Sequence, residues 1–193
     1  MTMQKLVLAS ASPRRRDLLN QIGVRFRQKV VPIDEMPREG EPAQHYVQRL
    51  ALEKARAVRR TLDLEAGLVM GADTEVIREG RPLGKPADLH QARDMLRGLS
   101  GRRHRVLSAV ALVGEREAVR LSESAVWFRA LSDAEIDAYW RTGEPCDKAG
   151  GYAIQGLGAV FVQRLEGSYS GVMGLPLYEA AQLLKEFGIE VLV

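Results

Sequence analysis

The stretch HRVLSAVALVGEREAVRLSESAVWFRA, residues 104–130, holds two long apolar-rich segments on either side of a tight polar turn at Gly114-Glu115. Segments of this kind joined by so short a connection read as adjacent antiparallel strands, so the sheet cannot be purely parallel. On the C-terminal side, Ser132 and Glu135 have the spacing of a capping box and predict a helix over DAEIDAYWRTG. On the N-terminal side, Asp88 is a candidate N-cap for a helix over DLHQARDMLRGLSG. GLVMGADTEVIREGRPLGKP, residues 67–86, reads as a strand, a sharp polar interruption, a second strand and a turn. Tyr46, Val47, Leu50, Ala51, Ala55 and Val58 follow helical spacing between Ala43 and about Thr61. A buried strand is expected over 5–9, a helix over 13–22 with Ser12 at its N-cap and Gly23 at its end, and a strand within 24–31. Beyond the glycine-rich 143–162 come a last strand, a loop and a helix over 176–187. The alternation of strands and helices means α/β. The expected architecture is one domain over 1–193, a mixed β-sheet flanked by helices and drawn into two lobes with a cleft.

Bulk properties narrow the classes. A chain of 193 residues with 46% hydrophobic and 27% charged residues is an ordinary globular composition, so disorder is not expected. A net charge of +3 without a basic run gives no support to a nucleic-acid surface. Cys146 stands alone, which excludes an intrachain disulfide and points to a reducing compartment. The N-terminus has no signal-peptide pattern, and no apolar run approaches the roughly 20 residues that span a bilayer. No membrane association and a cytoplasmic location are expected.

LASASPRR, residues 8–15, carries the first chemical signal. Arg14 and Arg15 begin a helix whose dipole already presents positive charge, an arrangement that an anion would compensate. Unpaired amides of the first helical turn, the hydroxyls of Ser10 and Ser12 and two guanidinium forks together make a phosphate seat. A capped surface helix with solvated arginines is the plainer reading. In GADT, Asp73 is expected at the end of an apolar strand, where a carboxylate binds a divalent metal or acts as general base, or merely accepts turn amides. Asp34 and Glu35 add hard oxygen donors. Lys85, held in Gly-Lys-Pro, suits a phosphate contact, whereas Lys54 within a helix ordinarily covers apolar surface with its stem. Gln155, in the glycine-rich EPCDKAGGYAIQGLG, offers both a donor and an acceptor to a base edge. The three histidines lack metal-ligand spacing, and no GxSxG, GxGxxG or GxxxxGK[ST] pattern is present.

LASASPRR, DE at 34–35, EKA at 53–55, GADT, GKP at 84–86, LSGRRHRV, EPCDKAGGYAIQGLGAVFV and GSYSGVMGLPLYE occur in the order found in the Maf family, which this chain resembles from about residue 5 to 185. The family comprises nucleoside triphosphate pyrophosphatases, also described as septum-formation inhibitor-like proteins. The resemblance implies a Maf/ITPase-like fold and hydrolysis between the α and β phosphates. SPRR, GADT and YAIQG resemble the branch acting on dTTP and UTP. It implies Asp73 as proton acceptor, Arg14, Thr74 and Gln155 as substrate-discriminating residues, and Ser10, Arg15, Lys54 and Lys85 as phosphate-pocket residues. Glu35 and Asp73 are the candidate ligands for Mg²⁺ or Mn²⁺, nucleoside triphosphates the expected partners, and a homodimer the expected assembly. Two alternatives stay open: a nucleotide-binding regulator of cell division with little catalysis, and a pyrophosphatase for other, modified nucleotides. The chain departs from the family pattern at Glu75, where an apolar or β-branched residue is usual, at Ser108 for threonine and at Gly171 for asparagine.

Overall fold

The computed structural model of the chain describes residues 6–63 and 67–191. The expected start of the first strand at Lys5 lies outside the described residues. In chain order the first elements are β1 (Leu6–Leu8), α1 (Pro13–Gln21), β2 (Phe26–Gln28), α2 (Ala43–Arg59), β3 (Leu68–Arg78) and β4 (Arg81–Pro82). They are followed by α3 (Leu89–Leu99), β5 (Arg103–Val113), β6 (Glu117–Phe128) and α4 (Asp133–Arg141). Three short 3-10 turns occupy the glycine-rich stretch Glu144–Phe161, and β7 (Val162–Glu166), α5 (Tyr169–Met173) and α6 (Leu177–Glu186) complete the order.

The hairpin forms as its sequence indicates: β5 and β6 pair antiparallel from Val113↔Glu117 to Arg103↔Trp127. Around it the sheet is seven-stranded and mixed, in the order β2-β1-β3-β5-β6-β7 with β4 on β3. β1 is parallel to both β2 and β3, and every other pair is antiparallel. One face carries Leu6, Leu8, Met70 and Ala72 against Leu18 and Leu19 of α1 and Leu183 and Leu184 of α6. Farther along the same face, Val76, Val106 and Phe128 pack with Leu96, Leu99, Ile136 and Tyr152. Thr74 and Ser108 lie between these two apolar clusters and leave the face polar there. The opposite face is covered by α2, whose Val47, Leu50, Ala51, Ala55 and Val58 are buried at the helical spacing seen in the sequence.

Three expectations are corrected. GADT does not interrupt a strand: β3 runs unbroken through it, with Asp73↔Ala109, Thr74↔Ser108 and Glu75↔Leu107 in register. Polar residues usually mark a break, but here β5 pairs their backbone and their side chains find partners of their own. Asp73 therefore sits in mid-strand and not at a strand end. Ser12 does occupy the N-cap of α1, as expected, although its side chain makes no capping bond. The loop expected before the last helix holds α5, capped by Ser168, which accepts the Gly171 amide. Both predicted caps of the middle helices form, at Asp88 and as a full capping box at Ser132 and Glu135.

Gly71 sets the distance between α2 and β3. A Cβ there would lie 2.1 Å from the Ala51 carbonyl oxygen and 2.9 Å from the Ala55 nitrogen, both backbone atoms of α2. Gly71→Ala is expected to destabilise the protein by about 2–3 kcal/mol through this overpacking. A lowered urea midpoint at unchanged slope would register it; an unshifted midpoint would mean that α2 can move away freely. His104, buried beside Phe128, donates to or accepts from the Tyr152 hydroxyl at 2.8 Å, and its Nδ1 has no partner. Burial pulls its pKa down to about 4. The unfolded imidazole takes up a proton below about 6.5 and the folded one only near 4, so stability falls as pH drops through that window, by roughly 3 kcal/mol in all. His104→Phe should flatten this part of the acid limb relative to the wild type; parallel limbs would refute the assignment.

Candidate active site

The cleft follows from a gap in the sheet. β5 pairs with β3 from Val69 to Ile77, but on the other edge β1 reaches only Leu68–Met70 and β4 only Ile77–Arg78. The Ala9 amide still bonds Met70 O at 2.7 Å and the Leu83 amide bonds Val76 O at 2.9 Å. Between these points the β3 edge faces a cavity of about 480 Å³, outside the carboxyl end of β1, the usual ligand position in α/β sheets. Ser10, Arg14, Arg15, Glu35, Lys54, Asp73, Thr74, Lys85 and Gln155, drawn from distant parts of the chain, all line it. Asp34 does not; its carboxylate accepts the Met36 amide and shapes its own loop.

Asp73 is 4% exposed. Its Oδ1 accepts from Lys54 Nζ at 2.7 Å, while its Oδ2 is buried without a partner. Lys54 also donates to Glu35 Oε2 at 2.9 Å and so bridges two carboxylates. It can do so because α2 lies close over Gly71. α2 fixes Glu35 as well: the Tyr46 hydroxyl donates to Glu35 O at 2.8 Å, and Arg49 donates to Met36 O and grips Glu41 with two bonds of 2.6 and 2.7 Å. Those bonds from Arg49 hold the Glu41 carboxyl down at about 2.

At the start of α1 the two arginines are anchored differently. Arg15, which lines the cleft, donates from Nε to Gly174 O at 2.8 Å and from Nη1 to Ser10 Oγ at 3.2 Å, which leaves Nη2 without a bond. Burial lowers its pKa, opposed by the charge of Asp73. Arg14 pairs with Asp147 at 3.1 Å. The sequence argument for an anion at this helix start is thus met in part by the protein itself, through Asp147. Lys85 is exposed in a turn tied to the glycine-rich stretch, because Gly84 O accepts the Gly150 amide at 2.8 Å. Gln155 is an exposed residue of the lining, so its amide is available to a ligand.

Four site residues were not singled out for chemistry in the sequence. Glu75, noted only as a departure, lines the cleft with a buried, unpartnered Oε2, and burial followed by the Asp73 charge pushes its carboxyl up to about 8. Ser108 contacts Thr74 Oγ1 at 2.6 Å, and Gly174 O lies 3.2 Å from the same oxygen. Asp147 and Lys148 form an ion pair beside Arg14. Only strand register reveals the first two: Glu75 lies two residues from Asp73 on one face, and Ser108 directly opposite Thr74.

Among the described residues no three His, Cys, Asp or Glu side chains are grouped to hold a metal ion. Hard oxygens are nevertheless present in the free Oδ2 of Asp73 and in Glu35. That donor set fits Mg²⁺ or Mn²⁺, which commonly take one or two carboxylates and complete their shell with phosphate oxygens and water.

Known proteins resemble this chain in sequence and in fold. The family described as "Maf-like protein" matches residues 5–187. A protein of Alkalilimnicola ehrlichii called dTTP/UTP pyrophosphatase is 59% identical over 189 residues, covering 96% of this chain and 94% of its own. One of Aromatoleum aromaticum with the same name is 52% identical over 197 residues, covering 95% and 96%. Among solved structures, the Ham1 protein of Staphylococcus aureus aligns with a TM-score of 0.50 at 15% identity over 97% of this chain and 91% of its own, a likeness of fold alone. With a match that runs through every strand of the sheet and every residue of the cleft, the chain belongs to the Maf family.

Proposed function

We propose that the chain hydrolyses dTTP and UTP to the nucleoside monophosphate and pyrophosphate. The observation that carries this reading is the unpartnered, buried Oδ2 of Asp73 in a cleft also lined by Arg14, Arg15, Lys54, Lys85 and Lys148. The names of the relatives described above support the same substrates and reaction. The cavity volume suits one nucleotide.

In this reading the triphosphate lies along the start of α1, where Ser10 and the first-turn amides donate to its oxygens. Asp73 orients a water for in-line attack on the α-phosphorus and accepts its proton at Oδ2. Lys54, on Oδ1, fixes the direction of that carboxylate. The bond from the α-phosphorus to the bridging oxygen breaks and pyrophosphate leaves. Arg15 Nη2 and Lys85 stabilise the charge that gathers on it. Glu35 would hold Mg²⁺ or Mn²⁺, with Asp73 as the other candidate ligand should it not serve as the base; when bound, the ion neutralises phosphate charge. Arg14, Thr74 and Gln155 meet the base.

Turnover of UTP in H₂¹⁸O should place the label in UMP and leave pyrophosphate unlabelled; label in pyrophosphate, or release of orthophosphate with UDP, would sink the assignment of the attacked phosphorus. Asp73→Asn is expected to lower kcat by about 10²–10⁴-fold with the thermal midpoint kept or raised, since removing the base leaves the fold intact. An Asp73→Asn enzyme of undiminished rate would remove Asp73 from the chemistry. Chelation by EDTA should abolish turnover and Mg²⁺ or Mn²⁺ restore it, and activity that persists in EDTA would argue that the cationic side chains suffice.

A further inference from the structure

Thr74 Oγ1 lies 2.6 Å from Ser108 Oγ and 3.2 Å from the carbonyl oxygen of Gly174. Two oxygens at such distances repel unless a proton lies between them. Two hydroxyl protons are available, one on each side chain. The carbonyl has none to give, so the proton in the second contact is that of Thr74. The proton in the first contact is then that of Ser108. The alternative acceptor for Ser108, Asp73 O, is at 3.5 Å, the outer limit of a hydrogen bond. Turning Ser108 toward it would strip the 2.6 Å contact of its proton or, if Thr74 filled that contact, the 3.2 Å one. Gly174 O also accepts Arg15 Nε, so the relay ends on a carbonyl already held in place.

Thr74 thus spends its proton inside the protein and keeps one lone pair for the cleft it lines. A lone pair cannot bind a phosphate oxygen, which only accepts. It needs a donor.

We infer that Ser108 is a positioning residue for substrate choice: by donating to Thr74 it leaves Thr74 an acceptor only, and the site selects a base that presents a ring N–H. The inference rests on the pyrimidine nucleotide reading above. Uracil and thymine carry a hydrogen on N3 between two carbonyls, whereas N3 of cytosine is bare. Cytosine would set a lone pair against that of Thr74 and leave both unpaired.

The test is kcat/KM for UTP and CTP with the wild type, Ser108→Ala, Ser108→Thr and Thr74→Val. Each ratio is taken on a single preparation, so partial loss of folded protein cancels. The wild type should favour UTP at least tenfold. Ser108→Thr, which keeps the donor, should hold that ratio. Ser108→Ala frees Thr74 to turn its own proton toward the cleft, and Thr74→Val removes the acceptor; both should bring the ratio to within a few-fold of one. An active wild type that turns over CTP as well as UTP overturns the inference alone, as does an unchanged ratio in Ser108→Ala and Thr74→Val. A wild type that releases no pyrophosphate from UTP overturns the nucleotide reading itself.

Discussion

The close approach of α2 to β3 over Gly71 is the constraint on which the rest of the site depends. With no side chain at that position, helix and strand backbones meet directly, and Lys54 comes within hydrogen-bonding reach of Asp73. The same helix carries Tyr46 and Arg49, which fasten the loop bearing Glu35. One missing Cβ therefore aligns a carboxylate on the sheet, an ammonium on the helix and a second carboxylate on a loop. The glycine acts here through packing alone, since its backbone has no left-handed conformation to require it.

The arrangement also manages charge. A buried carboxylate is costly unless paired, and Lys54 pairs one oxygen of Asp73 while the other is left without a partner. Arg15 is likewise desolvated but held by a carbonyl and a hydroxyl, neutral partners that fix its direction without cancelling its charge. Unpaired negative and positive capacity is thereby kept side by side without collapsing into a closed ion pair. Elsewhere the chain closes its pairs fully, as Arg93 does with Asp137 and Arg97 with Asp133 between α3 and α4. Such pairs at the surface add little stability.

Most of the fold was legible because its signals are local. The hairpin at Gly114, the cap at Asp88, the capping box at Ser132 and the apolar stripe of α2 each depend on residues within a turn or two of one another. The resemblance brought together cleft residues that are far apart in the chain. GADT was misread as a break because its polar residues are satisfied by partners remote in sequence, Lys54 and Ser108, which no local pattern reveals. Glu75 escaped for a related reason: alternation along β3 puts it on the face of Asp73, and that matters only once the strand is known to be continuous. The pairing of Arg14 with Asp147, across 133 positions, lies equally beyond any reading of the helix alone.

The gap in the sheet has a consequence for the molecule outside the cell's chemistry. An unpaired stretch of strand is a template onto which a stray extended chain can add, the first step of edge-to-edge aggregation. In this fold the open part of β3 is an interior window bounded by β1 and β4, about 20 Å long at the usual rise per residue. Arg15, Lys54, Asp73 and Lys85 stand around it. A foreign strand entering there would have to desolvate that ring of charge, whereas a small, highly charged anion is welcomed by it. The break that admits a ligand is guarded by its own polar lining against polymerisation.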